Sequence, residues 1–121
     1  MEHRLLVVDD EEHILDMLVA YFARQGFAVD TANSLAVAQQ KLQEHNYRVT
    51  ILDIMLAGES GLQLLTELKK ARPDARVLMF TGLGYDADLM GQALDKGADG
   101  YITKGMPMED LLIAVRRVLE D

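Results

Sequence analysis

Short, nearly unbroken apolar runs take turns with amphipathic stretches along the whole chain, and this alternation constrains the fold more than any other feature. Leu5-Leu6-Val7-Val8, Val49-Thr50-Ile51-Leu52 and Val77-Leu78-Met79-Phe80 are apolar at almost every position and rich in strand formers. A strand covered on one face alternates apolar with polar residues, so runs without alternation predict strands buried on both faces, as in a parallel sheet. Phe27-Ala28-Val29-Asp30 and Tyr101-Ile102 are weaker runs of the kind found at sheet edges. Between them apolar residues recur at helical spacing: Ile14, Leu15, Leu18, Val19 and Phe22, then Leu64, Leu65 and Leu68, then Leu111, Leu112, Val115 and Leu119. Ser60 with Gln63 reads as a capping box, Gly26 and Gly97 stand where helices would end, and Pro107 suits a first turn. Five strands alternating with five helices imply βαβ units with right-handed crossovers. The expectation is one α/β domain over residues 1–121, a parallel sheet with helices on both faces.

In such sheets ligands bind beyond the carboxyl ends of the strands. The residues just past the apolar runs are Asp9 and Asp10, Asp53, Thr81 and Lys104, all polar. If the strand order brings them together, one rim carries three carboxylates, a hydroxyl and an ammonium. At ~4 Å and an effective dielectric of about 20, each carboxylate pair repels by roughly 4 kcal/mol. A divalent cation relieves that repulsion, and oxygen ligands without His or Cys favour Mg²⁺, which shares its coordination readily with phosphate. A carboxylate can also act as a nucleophile and become an aspartyl phosphate, with cation, lysine and hydroxyl neutralising the transferring oxygens.

Composition narrows the alternatives. The chain has no cysteine, which removes disulfides, thiolate metal sites and cysteine nucleophiles. Its formal net charge of -8 is poorly suited to nucleic acid, where Lys and Arg supply most of the affinity. No apolar run approaches the ~20 residues that span a bilayer, and the apolar part near Met1-Glu2-His3-Arg4 is short for a signal peptide. A cytoplasmic protein without direct contact to nucleic acid or membrane is expected. His3, His13 and His45 show no ligand spacing and read as surface residues.

Val7-Val8-Asp9-Asp10-Glu11-Glu12, Ile51-Leu52-Asp53-Ile54-Met55, Phe80-Thr81-Gly82 and Gly97-Ala98-Asp99-Gly100-Tyr101-Ile102-Thr103-Lys104 occur in an order and at spacings that resemble response-regulator receiver domains, over essentially the whole chain. The resemblance implies a flavodoxin-like sheet of order 2-1-3-4-5, which sets the first strand beside the third. It implies that Asp53 is the phosphoacceptor, that Asp10 binds Mg²⁺ directly (Mn²⁺ could substitute), and that Asp9 assists. Met55 would add its backbone carbonyl to the metal, and Asp53 would share it. Lys104 would pair with the phosphoryl group. Thr81 would bond a phosphoryl oxygen and draw its loop inward, and Tyr101 would change rotamer with it. The surface of the fourth helix, fifth strand and fifth helix would then change. Implied partners are a histidine kinase or histidine phosphotransfer protein and an attached or separate output domain, and Arg116 and Arg117 among acidic neighbours suggest a second copy of the chain, paired through the last helices on phosphorylation.

The chain departs from the family pattern in places. Gly105, not proline, follows Lys104, and Lys104-Gly105-Met106-Pro107-Met108-Glu109 is more similar to receivers joined to LuxR-type helix-turn-helix outputs. Ala57 stands where many receivers have proline, so the loop after Asp53 is expected to be less rigid. Met55 and Leu83 are apolar at positions thought to tune water access to the phosphoryl group. Each candidate also has a plainer reading. The acidic run favours a helix N-terminus, Thr81 could be a cap, Lys104 a solvated lysine and Tyr101 edge-strand packing. A phosphatase of the haloacid-dehalogenase type would need a second Asp where Met55 stands. A flavin domain would need a phosphate-cradling loop where Asp9 to Glu12 repel phosphate. A phosphate-independent receiver-like module is disfavoured by the full Asp, Thr and Lys set.

Overall fold

In a computed structural model, residues 3–120 are described; Met1, Glu2 and Asp121, which the expected domain includes, lie outside them. The elements are β1 (Arg4–Val8), α1 (Glu12–Arg24), β2 (Ala28–Ala32), α2 (Leu35–Glu44), β3 (Val49–Leu52), β4 (Met55–Leu56), β5 (Glu59–Ser60), α3 (Gly61–Ala71), β6 (Arg76–Thr81), α4 (Ala87–Asp95), β7 (Gly100–Thr103) and α5 (Met108–Glu120). Five strands form a parallel sheet of order β2-β1-β3-β6-β7. Counting the sheet strands alone, this is the expected 2-1-3-4-5. The antiparallel pair β4-β5 is additional.

The apolar runs split between two cores because successive side chains on a strand face opposite ways. Leu5, Val7, Ile51 and Phe80 pack with Leu18 and Phe22 of α1 and Leu111 and Val115 of α5. Leu6, Val8, Leu52 and Met79 pack with residues of α2, α3 and α4, including Ala38, Leu65 and Ala93. A polar residue at any of these positions would be buried on one face or the other, which is why the runs show no alternation.

Helix ends follow the sequence in part. Gly26 and Gly97 adopt φ of +92° and +102° just past α1 and α4, where other residues would be strained. Ser60 caps α3, accepting from the Leu62 backbone N–H at 3.2 Å. The reciprocal half of the expected capping box is missing, because the Gln63 side chain donates to Glu67 instead. Pro107 falls one residue before α5, and its carbonyl accepts from Asp110 N–H at 2.9 Å. His3 is half-buried rather than a surface residue, with its ring 6.1 Å from that of Phe27. Among the described residues no helix is long and apolar enough to cross a membrane.

Candidate phosphoryl and metal site

Backbone hydrogen bonds carry the sheet one residue beyond the strands and so fix the rim. Asp53 N–H donates to the Val8 carbonyl at 3.1 Å, Asp9 N–H to Ala32 at 3.0 Å, and Lys104 N–H to Thr81 at 2.8 Å. Asp9, Asp53 and Lys104 are thus held by main chain before any side-chain contact forms. Asp9 is 1 % exposed, Asp53 5 % and Thr81 0 %, whereas Asp10 and Glu11 lie open to solvent.

The side chains converge as the sequence suggested, with one addition. Lys104 Nζ lies 2.8 Å from Asp53 Oδ2, 2.8 Å from Asp9 Oδ2 and 3.0 Å from Glu11 Oε1. Glu11 was not among the candidates. Within an acidic run at a helix start nothing in the sequence separates it from a residue placed there by the helix dipole. Carboxylate oxygens of Asp9, Asp10, Glu11 and Asp53 all lie within 4.8 Å of one another. Asp10, Asp53, Thr81 and Lys104 help line an open cavity of about 270 Å³.

Burial raises the Asp9 carboxyl above its ordinary range, against the opposing hydrogen bonds from Lys104 and the Glu11 backbone. Burial alone would lower the Lys104 ammonium, but its hydrogen bonds to Asp53, Asp9 and Glu11 outweigh that, and its pKa is raised. The lysine is therefore fully charged near neutrality. One ammonium faces four carboxylates, so the rim keeps an excess of negative charge. The donor set is all oxygen, hard and compact, and fits a divalent cation such as Mg²⁺.

The segment after Asp53 forms the β4-β5 hairpin, tied to the rim where the Ala57 backbone N–H donates to Asp10 Oδ2 at 3.0 Å. Gly61 N–H donates to the Ile54 carbonyl at 2.6 Å, and Leu56 faces Glu59 across the turn. Antiparallel pairs alternate between bonded and non-bonded, so Met55 opposite Ser60 falls at a non-bonded pair. Its carbonyl is turned out of the hairpin, while its side chain is half exposed. Gly61, also unremarked in the sequence, is a packing necessity: a Cβ there would lie 1.9 Å from the Asp53 carbonyl oxygen.

Thr81 ends β6 at the cavity wall, and its hydroxyl accepts from Leu83 N–H at 3.2 Å, as in the plainer reading of a cap. The Tyr101 hydroxyl donates to the Gly84 carbonyl at 2.9 Å, and its ring lies 6.1 Å from that of Tyr85. Tyr101 thereby ties β7 to the loop that leaves Thr81. After Lys104 the chain turns through Gly105, with Met106 N–H donating to the Thr103 carbonyl at 3.2 Å.

Comparison with known proteins gives the family. Residues 5–116 match the family model described as the response regulator receiver domain. The chain is 38% identical over 98% of its length to the regulatory protein VanRB of Enterococcus faecalis, of which it covers 53%. It spans about half the length of the curated relatives it matches. Among solved structures, a CheY-like receiver domain protein of Methanospirillum hungatei superposes with a TM-score of 0.94 at 29% identity, covering 99% of this chain and 95% of that one. A response regulator of Burkholderia pseudomallei, described with a phosphorylated aspartic acid, calcium ion and citrate, has a TM-score of 0.89 at 30% identity, covering 98% of this chain and 69% of that one.

Proposed function

Because the chain belongs to the response regulator receiver family, we propose that it is switched by a phosphoryl group taken onto Asp53. The observation that carries the assignment is Lys104 Nζ at 2.8 Å from both Asp53 and Asp9, inside a cluster of four carboxylates at the strand ends. No other rim carboxylate combines burial, main-chain anchoring and contact with the lysine on the wall of the open cavity.

The step is an exchange of bonds at phosphorus. An Asp53 carboxylate oxygen attacks the phosphoryl group of a phosphohistidine donor; the O–P bond forms as the P–N bond breaks, and the imidazole leaves with the bonding pair. Lys104 offsets the charge on the equatorial oxygens, and the Thr81 hydroxyl donates to one of them. Asp10, Asp53 and the Met55 carbonyl, with Asp9 assisting, would hold a divalent cation, which would supply further positive charge there. The same residues serve hydrolysis of the aspartyl phosphate, and no external substrate is invoked.

The phosphoryl group adds roughly -1.5 to -2 charge. It shifts a conformational equilibrium only by interacting better with one state. If Thr81 turns toward it, the loop held by Tyr101 at Gly84 moves as well, and the surface of α4, β7 and α5 changes with it. Partners in this reading are a histidine kinase or phosphotransfer protein as donor and an output domain as target. The relatives' extra length supports an output segment in those proteins. A LuxR-type output rests on the run Lys104 to Glu109 alone, and dimerisation through the last helices on the exposed Arg116 and Arg117.

Intact mass after incubation with acetyl phosphate and Mg²⁺ tests the assignment. One added phosphoryl group is expected, lost without Mg²⁺ and lost in Asp53→Asn with the circular dichroism spectrum unchanged. An Asp53→Asn protein still labelled at one equivalent would overturn the choice of residue.

A further inference from the structure

Three of the four clustered carboxylates share one cation, since Asp9, Glu11 and Asp53 all reach Lys104 Nζ. Asp10 differs: its Oδ2 accepts from a neutral donor, the Ala57 backbone N–H, at 3.0 Å. The side chain is otherwise open to solvent. Ala57 has φ of +48°, and it is the one non-glycine residue with positive φ among those described; Gly58 follows at +85°. Two successive positive φ values make a tight two-residue hairpin turn, whose first central N–H makes no bond within the hairpin. The β4-β5 turn thus presents an unpaired amide to Asp10.

We infer that the Ala57 amide positions Asp10 for the cation, an inference that rests on Asp10 being a metal ligand as read above. A carboxylate has two oxygens and about four acceptor sites. The amide restrains one oxygen and leaves the other free to coordinate. It also leaves the negative charge intact, which a lysine in the same place would cancel. Mg²⁺ demands near-ideal octahedral geometry, so a ligand already held in place binds it better than one that must be ordered on binding. Ala57 touches neither phosphoryl group nor metal; it is a positioning residue acting through Asp10.

The test is Mg²⁺ affinity of the unphosphorylated chain, read by NMR titration, with metal-free melting temperature as the control for fold. Ala57→Gly keeps the N–H and accepts positive φ, and its affinity should stay within about threefold of the parent. Ala57→Pro has no N–H and a φ fixed near -65°, and should bind about tenfold more weakly. A backbone ester, with lactic acid in place of Ala57, removes the N–H alone and should weaken binding similarly, whether or not the proline variant folds. Parental affinity in the ester variant would overturn the inference, and so would equal losses in the glycine and proline variants. Asp10→Asn keeps the two levels apart: parental Mg²⁺ affinity there would sink the reading of Asp10 as a ligand, and this inference with it.

Discussion

Two clusters of charged side chains sit at opposite rims of the sheet, and they differ in which charge is scarce. At the carboxyl end one lysine serves Asp9, Glu11 and Asp53, with Asp10 beside them. At the amino end one carboxylate, Asp99, receives Lys69 at 3.0 Å, Arg76 at 3.4 Å and the Val77 backbone N–H at 2.8 Å. Both are partly or fully withdrawn from water, so burial does not distinguish them. Asp99 is surrounded by donors and requires nothing more; it locks the start of β7 to β6 and α3. The carboxyl-end cluster is left with unmatched negative charge, a surplus that would draw a divalent cation, whose charge would in turn offset that of a phosphoryl group. A cavity of about 490 Å³ lies at the amino rim as well, lined by Arg48, Arg72 and Arg76 among others, and it is larger than the one at the proposed site. Chemistry follows the charge imbalance rather than the volume.

The contrast can be broken at either end. Lys104→Met should have the largest effect, slowing phosphorylation by acetyl phosphate about 100-fold at saturating Mg²⁺ through loss of the charge facing the phosphoryl oxygens. A rate within threefold of the parent would show that the lysine only balances the resting cluster. Asp99→Asn should do the reverse. Losing the charge that Lys69 and Arg76 share should cost about 1–3 kcal/mol in denaturant unfolding, with the phosphorylation rate within twofold of the parent. A large loss of rate at unchanged stability would remove the distinction between the rims.

The smallest effect concerns pH. A carboxyl whose folded pKa is raised makes the metal-free protein less stable as pH rises from the ordinary Asp range, near 3.8, through that raised value. Cation binding needs the ionised form and acts in the opposite sense. The gain in melting temperature on adding Mg²⁺ should therefore grow by a few degrees as pH rises through the same window. A gain that shrinks with rising pH would contradict the part assigned to Asp9.

Much of this was legible in the sequence, for reasons particular residues make clear. Leu5 to Val8 could be read as doubly buried because both faces of β1 are covered, so no polar residue interrupts the run. Asp9, Asp10, Asp53, Thr81 and Lys104 could be found because one rule about strand ends points to all of them. The β4-β5 hairpin could not, since two residues are too few to show a period. Gly61 was hidden because its necessity comes from a tertiary approach to the Asp53 carbonyl. Glu11 and Asp99 were hidden for a related reason: an acidic residue in a helix start or a turn looks ordinary until its partner arrives from far along the chain. Gln63 misled because Glu67, one helical turn on, competes for its side chain.

The reach of Lys104 also bears on how the protein is made. It meets Asp53 across 51 positions and Glu11 across 93, and the pairing of β7 with β6 sets its register. A ribosome therefore finishes Asp53 before the lysine that meets it. On the reading proposed above, a chain in which β7 has not docked would lack the ammonium beside its acceptor and would take up a phosphoryl group poorly, so competence to receive the signal would follow the folding of the last strand.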